Sequence, residues 1–248
     1  MGLHEVYKSP NLDYHLKKGD APYLYLSNGE CAIPLVIRVP YGGGVHGDLY
    51  HSQSAEAFFF HVPGLKIAIP STPYDAKGLL KAAIRDNNPV IYLEHKHLYR
   101  RIREELPEED FTVELGVADL KREGEDLTIV TYGAMVHECL VAADRLAREG
   151  AECEIIDLRT LVPLDRQAFL ESVRKTSRAL VVHEAHMTSG FGGEVAAIIA
   201  QEAFDALDAP VTRVASLDVP VPFSPTLEDA MLPNADKIYR AAVDTLEY

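Results

Sequence analysis

Basic residues are outnumbered: 24 Lys and Arg face 38 Asp and Glu, for a formal net charge of -14. A duplex nucleic-acid binder needs a basic face, so the balance argues against that class. It suits docking onto a basic protein partner, beside the plainer reading of a solvated acidic surface. Cysteine is sparse. Cys31, Cys139 and Cys153 form no CxxC pair, which argues for a reducing compartment and against structural zinc. No apolar run is long enough to span a bilayer, and no signal-peptide pattern opens the chain. The expected setting is therefore the cytoplasm, or an organelle matrix after removal of a presequence. Three catalytic patterns are also missing: the G-x-S-x-G elbow, the Lys-Ser/Thr of a Walker loop and the helical H-E-x-x-H.

What is present describes a soluble globular protein with length enough for one large or two modest domains: 47% of its 248 residues are hydrophobic. Consecutive apolar residues predict a buried strand over Ile33–Val39, then strands over Leu65–Ile69 and Val90–Leu93. Between them, Ser54 is placed to cap a helix over Ala55–Val62, with Phe58, Phe59 and Phe60 facing the core. Ser71-Thr72-Pro73 starts a second helix that continues to about Arg85 and stops at Asp86-Asn87-Asn88-Pro89. An Arg-, Glu- and Pro-rich stretch follows, expected to be a linker over residues 103–124. From 125 the pattern restarts, with strands over Leu127–Thr131, Ala151–Asp157, Ala179–Val182 and Pro210–Ala215. Helices alternate with them over Met135–Glu149, Asp165–Thr176, Glu194–Ala206 and Ala235–Leu246. Alternating βα units without an internal repeat imply an α/β chain with parallel sheets, divided as 1–102, linker 103–124 and 125–248.

The chemistry concentrates in Arg38–Ser54. An apolar run ends at Pro40 and opens into a loop with Gly42, Gly43, Gly44 and Gly47, followed by His51-Ser52-Gln53-Ser54. Such a loop lets backbone approach a bound group closely. As a histidine, His51 is a side chain that can take or give a proton. Ser52 and Gln53 are placed to fix its tautomer, whereas His46 looks like a solvated loop histidine. A hydrolase triad of Ser52, His51 and Asp48 fails because neighbouring residues point in different directions. The Ala83–Asn88 turn, with carbonyls freed at a helix C-terminus, could hold a hard monovalent cation, although such turns are more often only turns. Ser189-Gly190-Phe191-Gly192-Gly193 and the His183-Glu184-His186 cluster are assigned structural roles.

His51-Ser52-Gln53-Ser54-Ala55-Glu56-Ala57-Phe58-Phe59 resembles a signature of the beta subunits of thiamine-diphosphate-dependent 2-oxoacid dehydrogenases, most closely the branched-chain (2-oxoisovalerate) type. Tyr74–Leu80, Asp157–Pro163, His183–Ala185 with Ser189–Gly192, and Val219–Pro222 are similar to further signatures of that family. The likeness runs from about Tyr23 to the C-terminus. It implies the rear part of a thiamine-diphosphate pyrimidine-type domain followed by a transketolase C-terminal-like doubly wound domain. The family's glutamate for the aminopyrimidine ring has no counterpart, so the chain is expected to be a truncated or incomplete beta subunit.

The resemblance further implies oxidative decarboxylation of a branched 2-oxoacid with acyl transfer to lipoamide. His51 is the expected catalytic residue beside the thiazolium, and Tyr7 a weaker cofactor contact. The diphosphate and magnesium would sit on an alpha subunit, in an alpha2beta2 heterotetramer that docks to a dihydrolipoyl acyltransferase core. A potassium ion would take backbone carbonyls of Ile33, Leu35, Val36, Ala83, Asp86 and Asn88, with Val36 lacking the family's threonine hydroxyl. Three alternatives stay open. They are a pyruvate or acetoin dehydrogenase beta subunit, a non-catalytic docking module, and a transketolase-type enzyme built from separate chains.

Overall fold

A computed structural model describes residues 32–248, so Tyr7 and Cys31 lie outside the described residues. The first sheet holds β1 (Val36–Tyr41), β2 (Lys66–Ala68) and β3 (Val90–His95), all parallel, with β3 between the other two. All six residues of β3 are buried, which explains why they form a nearly unbroken apolar run. β1 instead lies at the edge of the described sheet and is mostly half-buried. An edge position also explains why Pro40, with no N–H to donate, is tolerated inside it. The buried strand expected over Ile33–Val39 is thus displaced: Ile33 and Leu35 precede β1, which continues to Tyr41.

The helix expected over Ala55–Val62 is reduced to a single turn. A short helix α1 (Asp48–His51) comes first, then α2 (Ala57–Phe60). Ser54 does not cap α2, because its hydroxyl donates to Glu184 in the other half of the chain at 2.8 Å. Phe59 is buried, but Phe58 is 70% exposed rather than facing the core. Helix α3 (Pro73–Arg85) matches its sequence signals: the Thr72 hydroxyl accepts the Asp75 N–H at 3.1 Å and Pro73 occupies the first turn.

The second sheet contains β4 (Asp119–Arg122), β5 (Leu127–Thr131), β6 (Cys153–Asp157), β8 (Ala179–His186) and β9 (Thr212–Ser216), in the order β4-β6-β5-β8-β9. β4 is antiparallel and falls inside the segment expected to be a linker. Its sequence, Asp-Leu-Lys-Arg, hides the strand because only one residue is apolar. The rest of that segment is laid along α3. Phe111 stacks on Tyr74 with ring centroids 4.4 Å apart, and a Cβ on Gly78 would meet Val113 at 2.4 Å. Around this sheet pack α4 (Met135–Arg148), α5 (Arg166–Thr176), α6 (Phe191–Glu202), α7 (Pro225–Met231) and α8 (Ala235–Leu246). Asp165 and Asn234 cap α5 and α8 through the N–H groups of Ala168 and Lys237.

The two sheets are not independent. Strand β7 (Thr160–Val162) leaves the second half of the chain and pairs antiparallel with β2 of the first sheet. One apolar cluster joins Tyr41, Phe59, Ile67 and Leu93 to Tyr132, Ile156, Phe169 and Phe191. This shared core fixes the first sheet against the second and leaves the C-terminal ends of β1, β3, β5 and β8 converging on their junction. In parallel α/β sheets that is where ligands bind.

Candidate functional site

At the end of β1 the chain turns sharply through Gly42, whose φ is 92°. A Cβ there would lie 2.2 Å from the His95 Nε2, so both the backbone angle and the neighbouring ring demand glycine. His95, the last residue of β3, is buried and its Nε2 meets the Glu184 carboxylate at 2.6 Å. Glu184 comes from β8 in the second sheet and also accepts the Gly43 N–H and the Ser54 hydroxyl, both at 2.8 Å. Burial alone would push the Glu184 carboxyl up. The adjacent His95 and these hydrogen bonds outweigh it and hold it at about 2.

A second carboxylate grips the same loop. Glu228 on α7 is fully buried and accepts the N–H groups of Gly44 at 3.2 Å and His46 at 3.1 Å. It also pairs with the His46 Nδ1. His46 is therefore anchored rather than merely solvated, and its left-handed φ of 55° is unusual for a residue with a side chain. Ser52 is buried and accepts the Gly47 N–H at 2.8 Å, while the Gln53 carbonyl accepts the Gly42 N–H at 3.1 Å. Both residues brace the loop. Among the described residues no hydrogen bond joins the His51 imidazole to another side chain. His51 itself is exposed on α1, with its backbone carbonyl held by the Lys96 ammonium. Its neighbours Leu49 and Tyr50 are exposed too, Tyr50 at 85%.

Behind the loop, the Tyr132 hydroxyl donates to the buried Glu56 carboxyl at 2.7 Å, and burial raises Glu56 above the usual carboxylate range. A cavity of about 410 Å³ opens between the halves, lined by Gly43, His95, His97, Arg101, Glu138 and Glu184 among others. His97 is held below its ordinary value, first by burial, despite the hydrogen bond to the Gly44 carbonyl at 3.0 Å.

The segments expected to bind a cation do meet: the Ile33 N–H donates to the Asn87 carbonyl at 3.1 Å. The Leu35 carbonyl accepts the Val90 N–H at 2.8 Å and the Ala83 carbonyl the Asp86 N–H at 3.3 Å, leaving each a second lone pair. The Asp86 side chain is taken by Lys66 and by the Asn88 N–H. Val36 opens β1, one residue after Leu35.

The profile of the transketolase pyrimidine binding domain matches residues 20–101, and that of the transketolase C-terminal domain matches 116–238. The 2-oxoisovalerate dehydrogenase subunit beta of Bacillus subtilis (strain 168) is 50% identical over 225 residues, covering 90% of this chain and 69% of the relative. The chain belongs to the beta subunits of 2-oxoacid dehydrogenases. Within that family, the pyruvate dehydrogenase E1 component subunit beta of the same organism is 52% identical over 224 residues, again 90% of this chain and 69% of the relative. The corresponding Staphylococcus aureus (strain Mu50 / ATCC 700699) subunit is 47% identical over the same coverage. A split-gene transketolase, described as an inactive beta4 tetramer, superposes with a TM-score of 0.74 over 98% of this chain and 73% of its own, at 24% identity. At that identity the likeness carries the fold alone.

Sequence reasoning singled out His51, Ser52 and Gln53 and gave Glu184 only a structural role. It missed His95 and Glu228. His95 and Glu184 sit at the C-terminal ends of parallel strands, a signal that was present in the pattern. Nothing local marks Glu228, an acidic residue on a short polar helix.

Proposed function

We propose that this chain acts as the beta subunit of a branched-chain 2-oxoacid dehydrogenase, catalysing oxidative decarboxylation with acyl transfer to lipoamide together with an alpha subunit. One observation carries the reading: the His51 segment is fixed by carboxylates of the second domain, yet the imidazole faces outward. A proton-transfer group held firmly but left open on one side suits a site completed by a second chain. The exposed Leu49, Tyr50 and Phe58 beside it fit a surface that such a chain would cover.

Thiamine diphosphate, when bound, supplies the electron sink for decarboxylation. The loop offers no cradle for its diphosphate, because the Gly43, Gly44 and His46 N–H groups already serve Glu184 and Glu228. That fits a diphosphate and magnesium carried by the alpha subunit, as the family resemblance implies, with His51 presented by this chain. His51 would exchange the proton that accompanies acyl transfer to the dithiolane. Potassium at the carbonyls near Ile33 and Ala83 would stiffen the junction of β1 with the end of α3. The acidic surface suits a basic binding segment of the acyltransferase core, in the cytoplasm or a mitochondrial matrix.

Co-expression with an alpha subunit, followed by calorimetric titration with thiamine diphosphate and magnesium, tests the reading. Binding and 2-oxoisovalerate-dependent acylation of lipoamide are expected. His51→Ala should lower the lipoamide reaction by about 10² to 10⁴-fold while reduction of an artificial acceptor persists. An assembly that docks to the acyltransferase but binds no cofactor would point to a non-catalytic module instead. Pyruvate is the second reading for the substrate, favoured by the 52% identity to a pyruvate dehydrogenase subunit. The ratio of kcat/KM for the two oxoacids decides between them.

A further inference from the structure

We propose that Glu228 is a positioning residue for His51, acting across the domain junction through the His46–Ser52 segment. The inference rests on the reading of His51 as the acyl-transfer histidine.

The loop between β1 and α1 is conformationally costly. Gly42 and Gly44 have positive φ, and so do two residues with side chains, His46 at 55° and Asp48 at 63°. Left-handed backbone at such residues is costly and persists only where the surroundings impose it. Glu228 is what imposes it here. Its fully buried carboxylate takes the Gly44 N–H, the His46 N–H and the His46 Nδ1, three contacts from two residues of the loop. A carboxylate shared among several N–H groups makes strong, charge-assisted hydrogen bonds. Immediately beyond this anchor, Ser52 closes the segment through the Gly47 N–H. His51 lies between the two fixed points, and the Lys96 ammonium holds its carbonyl.

Glu184 grips the preceding residue, Gly43, in the same manner. The division of labour is therefore specific: Glu184 secures the start of the loop, and Glu228 secures the part that leads into α1. Loss of Glu228 should free Gly44 to His51 while Gly43 stays held.

Glu228→Gln tests this. The amide keeps the volume but offers one acceptor oxygen in place of two, so the grip shared between Gly44 and His46 is loosened. Residue-resolved hydrogen exchange on the chain should show faster exchange at Gly44 and His46 and unchanged exchange at Gly43. In the complex with the alpha subunit, lipoamide acylation should fall between about 10- and 100-fold, the scale of a displaced reacting group. Reduction of an artificial acceptor should stay within about two-fold, and the KM for the oxoacid should be unaltered. Glu228→Asp should recover part of the lipoamide rate. Unchanged protection at Gly44 and His46, or an equal fall in both acceptor reactions, overturns the proposal. A wild-type complex that turns over no lipoamide defeats the reading of His51 instead, and amide exchange then decides the anchoring by itself.

Discussion

Two glycine-rich loops follow parallel strands in this molecule, and they are glycine-rich for different reasons. The loop after β1, from Gly42 to Gly47, turns its N–H groups towards Glu184 and Glu228. The segment after β8, from Ser189 and Gly190 into the first turn of α6, instead wraps an imidazole. A Cβ on Gly190 would lie 2.5 Å from the Cε1 of His183, and one on Gly192 would lie 2.3 Å from its Cδ2. His183 is fully buried, and among the described residues neither ring nitrogen has a hydrogen-bond partner. Burial first, then the nearby Arg213, pulls its pKa down to about 4, so the ring stays neutral. One loop gives its N–H groups to buried carboxylates and can carry chemistry. The other is a packing device around an unsatisfied ring. Glycine in the sequence announces close approach in both, without saying what approaches.

The largest difference should come from filling the glycines. Gly42→Ala meets both a positive φ and the His95 ring, so a loss on the order of 4 kcal/mol is expected in urea unfolding. Removing His95 should not restore it, because the backbone strain remains. Breaking Glu184 should cost somewhat less, about 3 kcal/mol at pH 7 for Glu184→Gln. The stabilisation from Glu184 is fully present above its ordinary value of 4.5 and is lost as the pH falls to about 2. The gap between variant and wild type must therefore close across that window, and a gap that stays constant from pH 5 to 3 contradicts the assignment.

Gly192→Ala lies in a helix with ordinary φ, and the imidazole is its main obstruction, with the Val181 Cγ1 at 3.2 Å a lesser one, so about 2 kcal/mol is expected. In a His183→Ala background that cost should largely vanish, which a double-mutant cycle would register as coupling. Rescue at Gly42 by removing His95, or its absence at Gly192, would erase the distinction between the loops. The smallest effect belongs to His183→Phe, within about 1 kcal/mol of wild type at pH 7, since no hydrogen bond is given up. For His183 the neutral form is favoured, so its contribution is complete above 6.5 and lost as the pH falls to about 4. Thermal unfolding should show the phenylalanine variant gaining on wild type across that interval. Parallel curves would mean that His183 does not titrate there.

Much of this could be read from the chain. Consecutive apolar residues placed β3, β5 and β8, and Thr72-Pro73, Asp165 and Asn234 behave as helix starts because capping depends on neighbours within three residues. The His51-Ser52-Gln53 motif drew attention to the loop that Glu184 and Glu228 grip. Where the pattern misled, a distant partner had taken over. Ser54, a plausible cap, is drawn to Glu184, and the helix behind it shrinks to one turn. β4 escapes notice because Asp-Leu-Lys-Arg becomes a strand only by pairing with β6. β7 reads as part of the second domain but completes the first sheet.

The sequence by itself determined the α/β class, the family and the segment that carries His51, because periodicity, caps and motif spacing are local properties of the chain. Only the tertiary structure decided what holds that segment. Glu184 and Glu228 lie more than 130 residues beyond the loop they grip, and no local rule links a carboxylate to an N–H group at that separation. Their meeting follows from the shared core of the two sheets, which excludes water from the junction and leaves the loop's N–H groups to be satisfied by the chain's own carboxylates.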